Sequence, residues 1–324
     1  MAGATLHLHE TFKMPGKVRA FLNWLFDILR LKKRGKAAQA RRPARAKAKS
    51  GETDAAADAD ADAAAWPPER LNVIEKLWGE GCTSPSSAEF LRVSVPMLSL
   101  SEKKSLLLLG AGLGGVGRAM VNETGVWVTG YEADEELAAL GKNQTKMTGM
   151  QKRAPVTWAN MEDVKLKENS FNTVISLESL YRVTAKEQLY AAMIAALRVD
   201  GELLMTDFVS AGDGPPGKAV ENWLAAEPTP PHLWKAEAIQ SFLKTQNMDV
   251  RPCEDITGRY RAGIFNGFFR YLSTVTKPEL IEISGDLIKE CEYWAGQLSA
   301  IDSGGLKVFK FNAFKLPEKR KSKF

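Results

Sequence analysis

Through the middle of the chain, short apolar runs alternate with stretches of helical spacing. Leu106, Leu107, Leu108 and Leu109 form one apolar run, and further runs fall at 126–131, near Val156 and at 173–176. Helical patterns begin at 116–121 and cover 135–147 and 186–197, where Leu189, Met193, Ala196 and Leu197 share one face. Asp200-Gly201 then turns the chain into another apolar run at 202–207. Strands alternating with helices predict a mostly parallel sheet covered on both faces, because parallel neighbours need a crossover that a helix supplies. Upstream, 71–78 and 88–98 carry helical spacing. Downstream the rhythm loosens into loops at 212–216 and 228–231, a helix at 236–244 and a terminal strand at 306–314.

The first 65 residues follow a different pattern. Val18, Phe21, Leu22, Leu25, Ile28 and Leu29 align on one helical face, and a basic run from Arg30 to Lys49 leads into an Asp-Ala tract ending at Ala65. Neither tract can build a core, so a disordered extension is expected here. An apolar helical face followed by a polybasic patch is also the pair of signals that anchors a protein on an anionic membrane, which nominates residues 17–49. A solubilising tail or a helix docked on protein are the alternatives. Trp66-Pro67-Pro68 closes the linker, placing the folded domain at 66–316 and a short basic tail at 317–324.

Composition narrows the function classes. Hydrophobic residues make up 44% of the 324, enough for a sizeable core, and the formal net charge of +5 comes largely from the tails. A nucleic-acid partner is therefore not indicated. Cys82, Cys253 and Cys291 lie far apart without histidine partners, which argues for a reducing compartment and against a metal site. The apolar stretch at 21–31 is interrupted by Asn23, Asp27 and Arg30 and is too short to span a bilayer. These features predict a cytoplasmic protein, peripheral at the membrane if the N-terminal tract anchors it.

The chemistry concentrates at the glycine-rich turn after the first strand, Gly110-Ala111-Gly112-Leu113-Gly114-Gly115. Glycines there let backbone turn sharply and approach a ligand with no Cβ in the way. The next strand delivers Glu132, whose carboxylate can accept from both hydroxyls of an adenosine ribose. Gly110, Gly112 and Gly115 also satisfy the dinucleotide fingerprint, so an NAD-dependent oxidoreductase stays open on the glycines alone.

The segments beyond the turn separate the two. Ala159-Asn160-Met161-Glu162-Asp163, Ser170-Phe171-Asn172-Thr173-Val174 and Asp200-Gly201-Glu202-Leu203-Leu204 occur in an order that resembles the class I S-adenosylmethionine-dependent methyltransferases. The resemblance implies a Rossmann-like, seven-stranded, mostly parallel α/β sheet, with S-adenosylmethionine as cofactor. It further implies that Gly110, Ala111, Gly112 and Gly114 line the cofactor, Glu132 holds its ribose, and Asn160 with Met161 faces its adenine. Leu108 stands where the family usually has an acid, and Asn160 where it has a loop acid.

Leu77-Trp78-Gly79-Glu80-Gly81-Cys82-Thr83-Ser84-Pro85 is similar to a loop that folds over the cofactor in small-molecule members of the phosphoethanolamine and ubiquinone type, with Cys82 at the aromatic position. Ser176-Leu177-Glu178-Ser179-Leu180-Tyr181-Arg182 resembles that group's pattern as well, with Glu178 at an acidic position and Arg182 where the group has a catalytic histidine. The reaction expected is methyl transfer to a small-molecule or lipid-like acceptor. Such transfer needs alignment and exclusion of water more than a base. Glu178 is the candidate for orienting or deprotonating the acceptor, with Tyr181, Arg182 and His232 as candidate pocket residues. A degenerate member of the fold, acting as a binding or scaffold protein at a membrane surface, is the alternative from another class.

Overall fold

The computed structural model of the protein describes residues 65–317. Helix α1 (Pro68–Trp78) starts with proline in its first turn, where the missing N–H leaves no bond unmade, and buries Leu71, Val73, Ile74, Leu77 and Trp78. A loop over 79–86 leads to a helical stretch through Ser87–Glu89, Phe90–Ser94 and Val95–Met97. The single regular helix expected at 88–98 is thus broken into α, π and 3-10 turns. Pro96 removes one backbone donor and forces the tightened last turn.

The core runs β1 (Ser105–Leu109), α2 (Gly115–Thr124), β2 (Trp127–Glu132), α3 (Glu135–Met147), β3 (Val156–Trp158), β4 (Phe171–Leu177), α4 (Lys186–Ala196) and β5 (Leu197–Ser210). After it come α5 (Lys218–Ala226), α6 (Ala236–Thr245), β6 (Met248–Val250), β7 (Glu254–Asp255), α7 (Thr257–Thr274), α8 (Lys277–Glu282), α9 (Ser284–Asp302) and β8 (Leu306–Lys315). The strand order is β3-β2-β1-β4-β5-β8-β6, with β7 paired to β8. Strands β1 to β5 are mutually parallel. β8 runs antiparallel to both β5 and β6. The sheet has eight strands rather than seven because the two-residue β7 adds a rung to β8.

Alternating side chains of β1 feed the two faces. Leu106 and Leu108 join a core with α1, α2 and α9, whereas Leu107 and Leu109 join a second core with α4 and α6. Leu108 is 1% exposed and sits 3.7 Å from where a Cβ on Gly117 of α2 would lie, so an apolar contact to the helix replaces the acid usual in the family. On the first face α9 packs against α1, α5 and α7. Trp78 meets Phe268 of α7 and Trp294 of α9 edge-on at 5.8 and 4.8 Å. This helical layer stands over the carboxyl ends of β4 and β5, where the candidate site lies.

Candidate functional site

The glycine turn is built from backbone bonds. Gly110 and Gly112 have φ of 73° and 54°, in the left-handed region that glycine tolerates best. The amides of Gly110 and Ala111 both donate to the carbonyl of Tyr131 at 2.9 and 3.0 Å, which ties the turn to the end of β2. The next residue, Glu132, completes the tie. Its Oε2 accepts from the Gly112 amide at 2.7 Å, and its Oε1 accepts from the Ala133 and Asp134 amides at 2.9 and 3.1 Å. Burial pushes the Glu132 carboxyl above its ordinary pKa, and the three amides act in the opposite direction. The Glu132 carbonyl in turn accepts from the Ala159 amide at 2.9 Å, so the loop after β3 is registered against the same residue.

In that loop Asn160 is exposed and Met161 is buried in the second core. Asn160 Oδ1 accepts from the Glu162 amide at 3.1 Å, which shapes the loop. Gly114 is placed differently from the other two glycines. It is the N-cap of α2 at φ 80°, and a Cβ there would meet Val156, Arg118 and Thr145 at 2.9 to 3.0 Å. Its need for glycine comes from packing beneath the turn. The side chain of buried Arg118 closes that underside, donating to Leu113 O at 2.7 Å and to Gln144 Oε1 at 3.0 Å.

Glu178 comes directly after β4, and its backbone amide donates to Thr206 O of β5 at 2.8 Å. Its φ is 43°, a conformation uncommon outside glycine. Three hydroxyls donate to the carboxylate: Ser84 at 2.7 Å and Ser86 at 2.5 Å to Oε2, and Thr206 at 2.7 Å to Oε1. Burial raises its pKa, and these donors oppose the rise. Ser179 lies against the turn, with its Cβ 2.5 Å from where a Cβ on Gly110 would be.

The candidate pocket residues split up. Tyr181 is 2% exposed and its hydroxyl donates to Glu227 Oε2 at 2.8 Å. Arg182 donates to the same oxygen through Nη2 at 2.8 Å and Nε at 3.1 Å, and Tyr293 of α9 donates to Oε1 at 3.0 Å. Four bonds thus converge on one buried carboxylate and fasten the chain after β4 to the helical layer. His232 is exposed, and its backbone amide donates to Tyr181 O at 2.7 Å. The cavity next to Glu178 has other residues than Tyr181, Arg182 and His232 in its walls. The cavity is lined by Ser86, Phe90, Leu177, Thr206, Tyr260 and Arg259, among others, and Ser86 and Thr206 are shared with the Glu178 cluster.

Sequence reasoning named Glu178 and the 77–85 loop but not the bonds joining them, and it missed Thr206, Glu227 and Tyr293. Glu227 had no local signal, lying in a loop 45 residues from Arg182. Asp207, beside Thr206, was also missed. It is 1% exposed, and burial lifts its pKa to about 7, while Lys186 and the amides of Phe208 and Tyr181 pull it down. Among the described residues no group of histidine, cysteine, aspartate or glutamate side chains could hold a metal ion. No helix among them is long and apolar enough to cross a membrane. The amphipathic and basic stretch at 17–49 lies outside the described residues.

Residues 107–205 match the family model described as a methyltransferase domain. A sarcosine/dimethylglycine N-methyltransferase of Halorhodospira halochloris is 28% identical over 126 residues, 39% of this chain and 45% of that protein. Phosphoethanolamine N-methyltransferase 3 of Arabidopsis thaliana is 23% identical over 134 residues, 41% of this chain and 27% of that one. The chain thus spans less than half the length of these curated relatives. Among solved structures, phosphoethanolamine N-methyltransferase 2 of Haemonchus contortus, in complex with phosphomonomethylethanolamine and S-adenosylhomocysteine, superposes with a TM-score of 0.64 at 18% identity, covering 76% of this chain and 57% of that one. That likeness shows the fold.

Proposed function

We propose that this chain transfers a methyl group from S-adenosylmethionine to a small-molecule acceptor. The observation that carries this reading is the pairing of a left-handed glycine turn after β1 with a buried carboxylate at the end of β2, joined by the 2.7 Å bond from Gly112 to Glu132. A backbone without Cβ atoms beside a carboxylate at parallel-strand carboxyl ends suits an adenosyl group. The residues present fit the cofactor. Glu132 Oε2 accepts only one of the three amide bonds, which leaves a lone pair for a ribose hydroxyl, and Asn160 offers an exposed amide beside it.

When bound, the cofactor supplies an electrophilic methyl group on a sulfonium. The protein's task is then to align an acceptor lone pair and keep water away. Phe90, Leu177, Ile256 and Tyr260 give the cavity next to Glu178 apolar walls, and Ser86 and Thr206 place hydroxyls in it. Glu178 holds those hydroxyls in orientation. Arg182 is a guanidinium paired with Glu227 and cannot act as a base, so an acceptor already carrying a free lone pair, such as an amine, fits this reading best. The relatives named for sarcosine, dimethylglycine and phosphoethanolamine support the same class. Residues 17–49 extend the reading to a cytoplasmic enzyme held at an anionic membrane surface, where a lipid-like acceptor would be within reach.

Calorimetric titration with S-adenosylhomocysteine, followed by product release across a panel of small amines, tests the reading. Binding with turnover on one amine is the expected result. Binding without turnover favours a degenerate binding or scaffold protein, and an NADH fluorescence change without S-adenosylhomocysteine binding favours an oxidoreductase.

A further inference from the structure

We propose that Trp66 and Trp158 are positioning residues for the cofactor site, clamping the turn at 133–134 so that Glu132 presents its free lone pair to a ribose. Both act through an indole N–H. Trp66 Nε1 donates to Asp134 Oδ2 at 2.9 Å, and Trp158 Nε1 donates to the carbonyl of Ala133 at 3.0 Å. The amides of Ala133 and Asp134 donate in turn to Glu132 Oε1. Each indole thus grips a residue whose own amide holds the carboxylate.

The sequence around Trp66 limits where its ring can go. A residue before proline is biased to extended backbone, and Pro67, at φ −62° and ψ 150°, carries that geometry into Pro68, the first residue of α1. Arg70 then lies over the indole, 4.6 Å from the ring centre. It donates through Nη1 to the Ala65 carbonyl and through Nε to buried Glu290 of α9, both at 2.8 Å. The Ala65 amide donates to Glu136 Oε2 of α3 at 3.0 Å. The ring itself packs against the cluster of Leu71, Leu113 and Leu137, and Leu113 belongs to the glycine turn. Trp66 therefore joins α1, the glycine turn and the start of α3.

Asp134 divides its two oxygens. Oδ1 accepts from the Leu137 amide at 2.8 Å and caps α3, while Oδ2 takes the Trp66 indole. Trp158 is 49% exposed, so burial alone does not account for its placement; its bond to Ala133 holds the turn from β3, where Trp158 stands in register with Glu132. Two amides fill Glu132 Oε1 and one amide, from Gly112, reaches Oε2. The turn therefore sets the rotation of the carboxylate, and with it the direction of the remaining Oε2 lone pair. Loosening the turn releases Oε1 and misdirects Oε2, with neither tryptophan needing to touch the ligand. Recognition of a ribose rests on the methyltransferase reading, whereas the clamp on the turn is independent of it.

Hydrogen exchange on the full chain tests the clamp without any ligand. Trp66→Phe and Trp158→Phe each keep a ring and remove the N–H. In both, the amides of Ala133 and Asp134 should exchange about tenfold faster, while parental exchange in β1 and β4 shows that the variant is folded. Unchanged exchange at these two amides in either variant overturns that indole's part in the clamp. Calorimetry then compares S-adenosylhomocysteine with the analogue whose ribose lacks both hydroxyls. The parent should prefer the hydroxylated ligand by about tenfold, and each variant should lose most of that preference. A packing role would weaken both ligands equally and leave their ratio at the parental value, and that result overturns positioning. Equal affinity of the parent for the two ligands overturns Glu132 as the ribose ligand. Failure of the parent to bind S-adenosylhomocysteine overturns the methyltransferase reading, and the exchange result alone then decides the clamp.

Discussion

Replacing Glu132 by alanine strikes the bond network that shapes the glycine turn, and the structure sets the size of the effect. Three amides, Gly112, Ala133 and Asp134, lose their acceptor. A hydrogen bond to a charged group contributes about 1.5 to 3 kcal/mol, but losses at neighbouring donors do not add and water can enter the space the side chain leaves, so about 2 to 4 kcal/mol is expected. Burial also holds the carboxyl above its ordinary pKa, so the substitution relieves a desolvation cost and the effect falls in the lower half of that range. For a folded unit of this size the melting temperature should fall by about 4 to 10 °C.

The pH dependence has a definite sign. A carboxyl whose pKa is raised on folding keeps its proton in the native state where the unfolded chain has released it, so the parent loses stability as pH rises through that window. The variant has no such group, and its deficit should therefore be larger at pH 5 than at pH 8. Thermal denaturation followed by circular dichroism at the two pH values measures this, and calorimetry with S-adenosylhomocysteine measures the accompanying loss of affinity. A variant that melts within 2 °C of the parent, or whose deficit grows with pH, would refute the argument that Glu132 organises the turn.

Two further outcomes arise from buried charge. Glu227→Ala leaves Tyr181, Tyr293 and Arg182 without their shared acceptor; water reaches the Arg182 guanidinium but not the buried Tyr181 hydroxyl, so the change should cost about 2 to 3 kcal/mol, read as an earlier midpoint in urea denaturation. Burial lifts the Asp207 pKa from its ordinary 3.8 to about 7 in the folded protein, so the parent should lose stability as pH rises from 4 to 7 and level off above; Asp207→Asn, read by thermal denaturation at pH 4 and pH 7, should flatten that slope.

The central fold and the place of the candidate site were legible in the sequence for a local reason. Strand and helix periods, the left-handed turn at Gly110 and Gly112, and a carboxylate ending the next apolar run each depend on a few consecutive residues, and the structure realises them in β1, α2 and β2. Leu107 and Leu109 had to face away from Leu106 and Leu108 in any strand.

Tertiary structure decided what each polar group does. Arg182, read from its place in the chain as a pocket residue, is drawn to Glu227 because a buried carboxylate from a distant loop needs a cation and donors. Glu178 meets Ser84 and Ser86 only because α1 and the loop after it fold back over the end of β4. Strand β7 depends on a neighbour too, since Glu254 and Asp255 are extended only by pairing with β8. Bonds of this kind join residues tens to more than ninety positions apart and leave no period in the sequence. Local pattern determines which elements form; only their packing determines which side chains remain free to bind and which are used to hold the protein together.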